Sequence, residues 1–492
     1  MSWPSAPVVY EVDTWPWLTD VRTRLGAPAA TLGDLAAQVW DDLAPPGTDA
    51  VWLMGGWERS PAGLAVAWEN DGLRHAFHAT LPDLSTEDVV GSPYCVRRYV
   101  VDERLGGPAG LAAARAELAR RGLRLILDYV PNHVAPDHPA LTTHPDWFVT
   151  GAAEDLAAAP EAWFEVDGRV VARGRDPYFP PWPDVAQLNA FAPGLRQASA
   201  DALGAILDQC DGVRCDMAML LTNEVFARTW GRYAGPAPAE EFWPLVISRV
   251  RERHPDAVLI AEAYWDMEWT LQQQGFDFCY DKRLYDRLVH EDAGAVRKHL
   301  AAGLDYQRRL LRFIENHDEP RAGAVFAGGR DRAAAVAIGT LPGATLWHDG
   351  QFEGRRVKLP VFLGRRPDEP VDADLRGFYH RLVDGSAAVR HGDWTVLDCH
   401  GWPDNPTHHD LLAWAWTGPE HGDVPHHVVV VNLSGHPCQA RIPLPSPRGG
   451  RWRLTDLLDG AGYEREGDEL VDPGLYVALP PWGAHVFTVA PG

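Results

Sequence analysis

Short, nearly uninterrupted apolar runs recur along the chain, with helix-periodic stretches between them. The runs are "VVYEV" (8–12), "AVWLM" (50–54), "LRLILDYV" (123–130), "GVRCD" (212–216), "VLIAEA" (258–263), "FDFCY" (276–280), "LRFIEN" (311–316) and "ATLWH" (344–348). Apolar runs this short that do not alternate predict strands buried on both faces, as in a parallel sheet. Between them, Leu195, Ala198, Ala202 and Ile206 fall at spacings of three and four, as do Phe242, Leu245, Val246 and Val250. Each set predicts a helix with one buried stripe. Strands alternating with helices in this way predict an α/β fold closed as a (β/α)8 barrel.

Two segments break the rhythm. Residues 137–183 include "DHPALTTHPDWF" and "DPYFPPWP", rich in proline and without helical periodicity, and predict a small inserted domain over the barrel mouth. From 389 to 492 the chain alternates short strands such as "LLAWAW", "HHVVVVNLS", "CQARIPL", "WRLTDLL" and "AHVFTV" with Gly, Pro and Asp. That texture predicts a C-terminal antiparallel β-sandwich, and leaves 1–136 and 184–388 for the barrel.

Composition narrows the partners. The 492 residues carry a net charge of -23, a field that repels phosphate and so argues against nucleic acid and anionic membrane surfaces. No basic segment leads into an apolar one at the N-terminus and no apolar run approaches membrane-spanning length, so a cytoplasmic location is expected. Six cysteines without CxxC pairs suggest reduced thiols, neither a zinc site nor a disulfide framework. Several of the 21 tryptophans stand in loop contexts such as "PPWPD" and "AYWDMEWT", where an indole can stack on a sugar ring.

In a barrel of this kind, the C-terminal ends of the strands share one mouth. The third run ends in Asp128 and "YVPNH", the fourth in Arg214 and Asp216, the fifth in Glu262, the seventh in His317 and Asp318. Any one of these reads as a cap or a loop ion pair. Together they gather carboxylates and an arginine where the sequence offers no phosphate loop, metal cluster or Ser/His/Asp set. Paired carboxylates suit glycosidic bond cleavage, in which one protonates the departing oxygen and the other attacks or stabilises the cationic carbon. Arg214 lies two residues before Asp216, on the same side of the strand, and is expected to lower that carboxyl's pKa.

The segments "LDYVPNH" (127–133), "GVRCDMAM" (212–219), "LIAEAYW" (259–265) and "IENHDEP" (314–320), in this order, resemble the four motif regions of the α-amylase family of glycoside hydrolases, and "DVAQLN" (184–189) resembles a fifth. The resemblance implies Asp216 as nucleophile, Glu262 as acid/base and Asp318 as the third acid that orients sugar hydroxyls. It implies substrate contacts from His133, Arg214 and His317, and from Tyr94 or Tyr99 beneath the bound glucose. Asp128 takes a structural role in it. Asn132 matches a position that ligates calcium in many members, although a hydrogen bond fixing the insertion also accounts for it; no cofactor is required. Because the family retains anomeric configuration, the Asp216 and Glu262 carboxyls are expected about 5 to 5.5 Å apart.

Departures from the pattern bear on substrate. Met219 and Leu220 stand where long-chain amylases often have Lys and His, which turns the expectation from polymeric starch toward short α-glucosides or malto-oligosaccharides. Arg355 and Arg356 after the eighth run are expected to hold acidic loops together. Two alternatives share these motifs: a transglycosylase or phosphorylase delivering the glucosyl unit to a sugar or phosphate acceptor, and an inactive binding or scaffold barrel.

Overall fold

The computed structural model describes residues 3–418, 422–447 and 449–492. All eight apolar runs are strands: β1 (Val8–Asp13), β2 (Ala50–Met54), β3 (Arg124–Tyr129), β4 (Gly212–Cys215), β5 (Val258–Ala261), β6 (Phe278–Tyr280), β7 (Leu310–Arg312) and β8 (Ala344–His348). They pair in parallel in sequence order and close, β8 against β1, into a barrel. Nearly every residue of these strands is buried, because helices cover the outer face while side chains fill the interior. Both predicted helices form, Pro193–Leu207 and Phe242–Arg253; of the predicted stripes Leu195, Ile206, Phe242, Val246 and Val250 are buried, while Ala198, Ala202 and Leu245 are only half-buried and Ser199 and Leu203 complete the first buried face.

After β3 the chain forms a small antiparallel sheet whose strand Trp182–Gln187 pairs with both His133–Val134 and Arg169–Gly174. Its core holds Leu141, Phe148, Val171 and Leu188. A second excursion, not signalled by the apolar runs, follows β2: the hairpin partners Trp57–Arg59 and Val96–Val101 enclose helices Pro61–Glu69 and Asp71–Thr80.

The C-terminal region is a six-stranded antiparallel sheet facing a two-stranded one made of Cys438–Ile442 and Leu475–Leu479. Strand Leu411–Thr417 shows how it joins the barrel. Leu411, Ala413 and Ala415 enter the sandwich core, while Leu412, Trp414 and Trp416 belong to the barrel's core. The indole N–H of Trp416 donates to the carbonyl of Thr340 on a barrel helix at 2.9 Å. Period-two alternation thus serves two apolar faces rather than an apolar and a wet one. Among the described residues, no helix is long and apolar enough to cross a membrane.

Candidate active site

Register places the chemistry. Arg214 on β4 lies beside Asp128 on β3 and Ile260 on β5. Glu11 of β1 pairs in register with Trp52 of β2. Asp128 is a fixture: its carboxylate accepts the Trp52 indole N–H at 3.2 Å and the Gly55 N–H at 2.9 Å.

Arg214, 1% exposed, is the hub. Its guanidinium lies 2.6 Å from Asp216, 2.8 Å from Glu262 and 3.7 Å from Asp318, with the rings of Trp52, Tyr94 and Tyr280 at 5.2–5.6 Å. The three acids separated along the sequence therefore converge on one cation.

Local backbone aims each of them. Met217, just after Asp216, sits at φ +43°, a left-handed conformation costly for a non-glycine residue. It turns the Met217 N–H onto the Glu262 carboxylate at 2.6 Å, while Ala218 N–H donates to the Glu262 carbonyl at 3.1 Å. The Tyr264 hydroxyl donates to the other Glu262 oxygen at 2.9 Å. In "ENHDEP", the Asn316 side-chain oxygen accepts the N–H groups of Asp318 and Glu319, each at 2.9 Å, a local turn that swings both acids toward the mouth.

His317 bridges Glu11 through Nδ1 and Asp318 through Nε2 at 3.0 Å, and the Tyr94 hydroxyl contacts its Nε2 at 2.5 Å. Burial opposes charge on this imidazole, but the two carboxylates outweigh it and hold the ring protonated well above the ordinary histidine value. Asp318 shows the converse: burial works against ionisation, yet His317 and Arg214 hold its carboxyl below the usual range.

Burial is the largest influence on Glu262 and lifts it to about 7 against the pull of Arg214, with Asp216 and Asp318 adding to the rise. For Asp216 the expectation of a lowered pKa is corrected. Arg214 does pull it down, but burial and the nearby Asp318 and Asp128 carboxylates carry it above the ordinary aspartate value. Strand spacing identifies the neighbouring cation but not the desolvation that outweighs it.

Asp216, Glu262, Asp318 and Tyr264 line a cleft of about 540 Å³, together with Ser92, His133, Phe179, Trp182, Met217, Trp265, Lys282, Glu319 and Phe362 among others, whereas Arg214 and His317 are buried behind these acids and are not part of its lining. Burial lowers His133 to about 4, leaving a neutral imidazole beside the Trp182 ring. Of the two tyrosines considered, Tyr94 lines the cleft and stacks on His317, with ring centroids 5.3 Å apart. Tyr99 does not line it; its hydroxyl is held by the backbone of Val130 and its ring packs on Trp57 and Tyr129.

Asn132 bonds to Gln187, whose side-chain nitrogen donates to the Asn132 carbonyl at 2.9 Å and side-chain oxygen at 3.0 Å, tying β3 to the inserted sheet. Arg355 and Arg356 stay off the cleft. Arg355 donates to the Pro367 carbonyl, and the Arg356 N–H donates to Glu369 at 2.7 Å.

Sequence reasoning missed Glu11, Tyr264, Lys282 and Glu319. Glu11 carries a signal, since an acid in the middle of the otherwise uncharged run "VVYEV" requires a buried partner.

No protein-family model matches the chain. It is 25% identical over 491 residues to the α-amylase MalA of Haloarcula japonica, covering 96% of this chain and 61% of that protein. It is 30% identical over 422 residues to an α-1,4-glucan:maltose-1-phosphate maltosyltransferase of Burkholderia pseudomallei, covering 82% of this chain and 32% of that one. The chain thus spans less than two thirds of the length of either relative. In fold it resembles the maltogenic α-amylase AmyB of Thermotoga neapolitana, with a TM-score of 0.67 over 99% of both chains at 16% identity. The ordered motifs stand at the ends of β3, β4, β5 and β7 of a closed parallel barrel, and the likeness to MalA runs nearly the whole chain, so in fold and in motif order this protein is similar to the α-amylase family.

Proposed function

We propose that the protein is a retaining α-glycoside hydrolase acting on short α-glucosides or malto-oligosaccharides. One observation carries the reading: Asp216, Glu262 and Asp318 meet on a single buried guanidinium inside one cleft, and Glu262 is the acid raised to about 7. A glucosyl unit sits with its anomeric carbon between Asp216 and Glu262. Glu262 gives its proton to the departing glycosidic oxygen while the Asp216 carboxylate closes on the anomeric carbon, forming a covalent glucosyl-enzyme. Glu262, now ionised, takes a proton from water as that water displaces Asp216, which returns the starting configuration. Arg214 remains paired with Asp216 through both steps. Asp318, held ionised by protonated His317, binds sugar hydroxyls, with Tyr94 beneath the ring.

The cleft's charge favours a neutral substrate. Asp176, Asp184, Asp216, Glu262, Asp318 and Glu319 line it, against Lys282, which is itself paired with Glu319 at 3.3 Å. Such a field opposes a sugar phosphate, so the maltose 1-phosphate in the name of one relative is not carried over to this chain. Transfer to a sugar acceptor uses the same first step and differs only in what displaces Asp216.

Incubation with a panel of α-glucosides, following the first-formed anomer by proton NMR with and without added acceptor sugar, tests the reading. Initial α-anomer is expected. Initial β-anomer, or no turnover of any α-glucoside, would refute it.

A further inference from the structure

The excursion after β2 and the segment after β8 join over one end of the cleft. Val90 N–H donates to the Phe362 carbonyl at 2.8 Å, Gly364 N–H to the Asp88 carbonyl at 2.7 Å, and Val89 and Leu363 form an antiparallel bridge between them. The Arg365 guanidinium grips both oxygens of Asp88 at 2.8 and 2.9 Å. Val89 and Leu363 are buried with Phe77 and Leu81 in a separate apolar cluster. A Cβ added to Gly364 would lie 2.7 Å from the Val90 side chain, so the two segments are in tight contact. Arg366 anchors the junction to the barrel through Asp349 at 2.7 Å and Asp20 at 2.6 Å. This is a built wall, with backbone pairing, a core and ion pairs of its own.

Its position gives it a role. Ser92, two residues before Tyr94, and Phe362 line the cleft. Lys358, from the same segment as Phe362, donates its ammonium to the Asp318 backbone carbonyl. The wall therefore rises where the Tyr94, His317 and Asp318 end of the glucosyl site stops. On the Glu262 side the cleft meets Trp265, whose ring packs edge-on against Tyr178, and Phe179, 67% exposed, while Trp182 stays near Tyr94 through His133 and Cys95. One end is walled and the other opens onto aromatic rings.

We infer that the junction of residues 81–93 with 357–366 blocks the cleft beyond a single glucosyl unit, so that the enzyme acts from the non-reducing end and its aglycone extends over the aromatic rim. This rests on the reading that Asp216 and Glu262 flank the anomeric carbon. A donor's O4 and O6 point away from its leaving group, so any sugar attached there would have to pass through the wall.

The test compares p-nitrophenyl α-glucoside with the same compound carrying a 4,6-O-ethylidene cap, using the intact protein. The capped compound is expected to have a kcat/KM more than about tenfold lower, a difference of ~1.4 kcal/mol or more. A capped rate within about tenfold of the uncapped one overturns the inference and leaves the hydrolase reading standing. No turnover of the uncapped compound while malto-oligosaccharides are cleaved also overturns the inference; no turnover of any α-glucoside overturns the hydrolase reading itself, and this inference with it. Arg365→Ala, checked for an unchanged melt, is expected to raise the capped-to-uncapped ratio about tenfold by loosening the junction. An unchanged ratio in the folded variant removes the wall as the cause. Should that variant not fold, Asp88→Asn weakens the same pair and the ratio is read there.

Discussion

Replacing Glu262 by glutamine isolates the proton that the mechanism requires. Glutamine keeps the shape and an oxygen for the Met217 N–H, now at 2.6 Å, but has nothing to donate to a leaving alkoxide. General acid catalysis by a positioned side chain contributes about 10²–10⁴-fold, or ~3–5 kcal/mol at 1.36 kcal/mol per decade. kcat/KM for an unactivated α-glucoside should fall by that amount. A 2,4-dinitrophenyl α-glucoside, whose leaving group departs as a stable anion, should lose less than about tenfold, because kcat/KM reports the steps up to the glucosyl-enzyme. The pH profile supplies a second reading. Glu262 acts in its protonated form, which is populated below its folded pKa of about 7 and lost above it. Wild-type kcat/KM should therefore drop about tenfold per pH unit on the alkaline side of that value, and the limb should vanish in Glu262→Gln. Equal losses on both substrates, or a limb that survives the substitution, would refute the assignment of the proton to Glu262.

Asp216→Asn should abolish turnover of activated and unactivated glucosides alike, on the scale of about 10⁶-fold that follows loss of an enzymatic nucleophile, measured in single-turnover assays; a cellular role untouched by it would favour the scaffold alternative. Arg214→Ala leaves the buried Asp216 and Glu262 carboxylates and the partly exposed Asp318 without their shared counter-charge, and urea titration should show a destabilisation of about 3–5 kcal/mol. Tyr94→Phe removes the 2.5 Å hydroxyl contact to the charged His317 while keeping the ring; a loss of ~1.5–3 kcal/mol should lower kcat/KM by about 10–100-fold. Trp416→Phe deletes the bond to the Thr340 carbonyl and should cost about 1 kcal/mol in urea titration with kcat/KM unchanged, since that contact lies between the C-terminal sheet and a barrel helix.

The barrel was legible because each of its strands is buried on both faces, which writes an apolar run into the sequence, and because the acids stand where those runs end. The excursion after β2 left no such run. Its helices are short and announced only by their caps, Ser60 before Pro61 and Asn70 before Asp71, whose side chains accept the N–H groups of Gly63 and Leu73. Choosing between Tyr94 and Tyr99 was beyond the sequence, since a loop's register over the mouth is set by partners far along the chain, here His317 for one ring and Val130 for the other. The upward direction of the Asp216 pKa escapes the sequence for a similar reason. A neighbour two residues away can be read directly, whereas desolvation is a property of the assembled site.

The pairing of Glu11 with His317 joins residues 306 positions apart. At about 5–20 residues per second, a ribosome takes roughly 15–60 s to synthesise the stretch between them. Throughout that time the first strand carries an acid with no counter-charge, and burying it alone is costly. The first strand should therefore stay hydrated and undocked until the seventh emerges, which makes barrel closure and completion of the sugar site a single late event in the nascent chain.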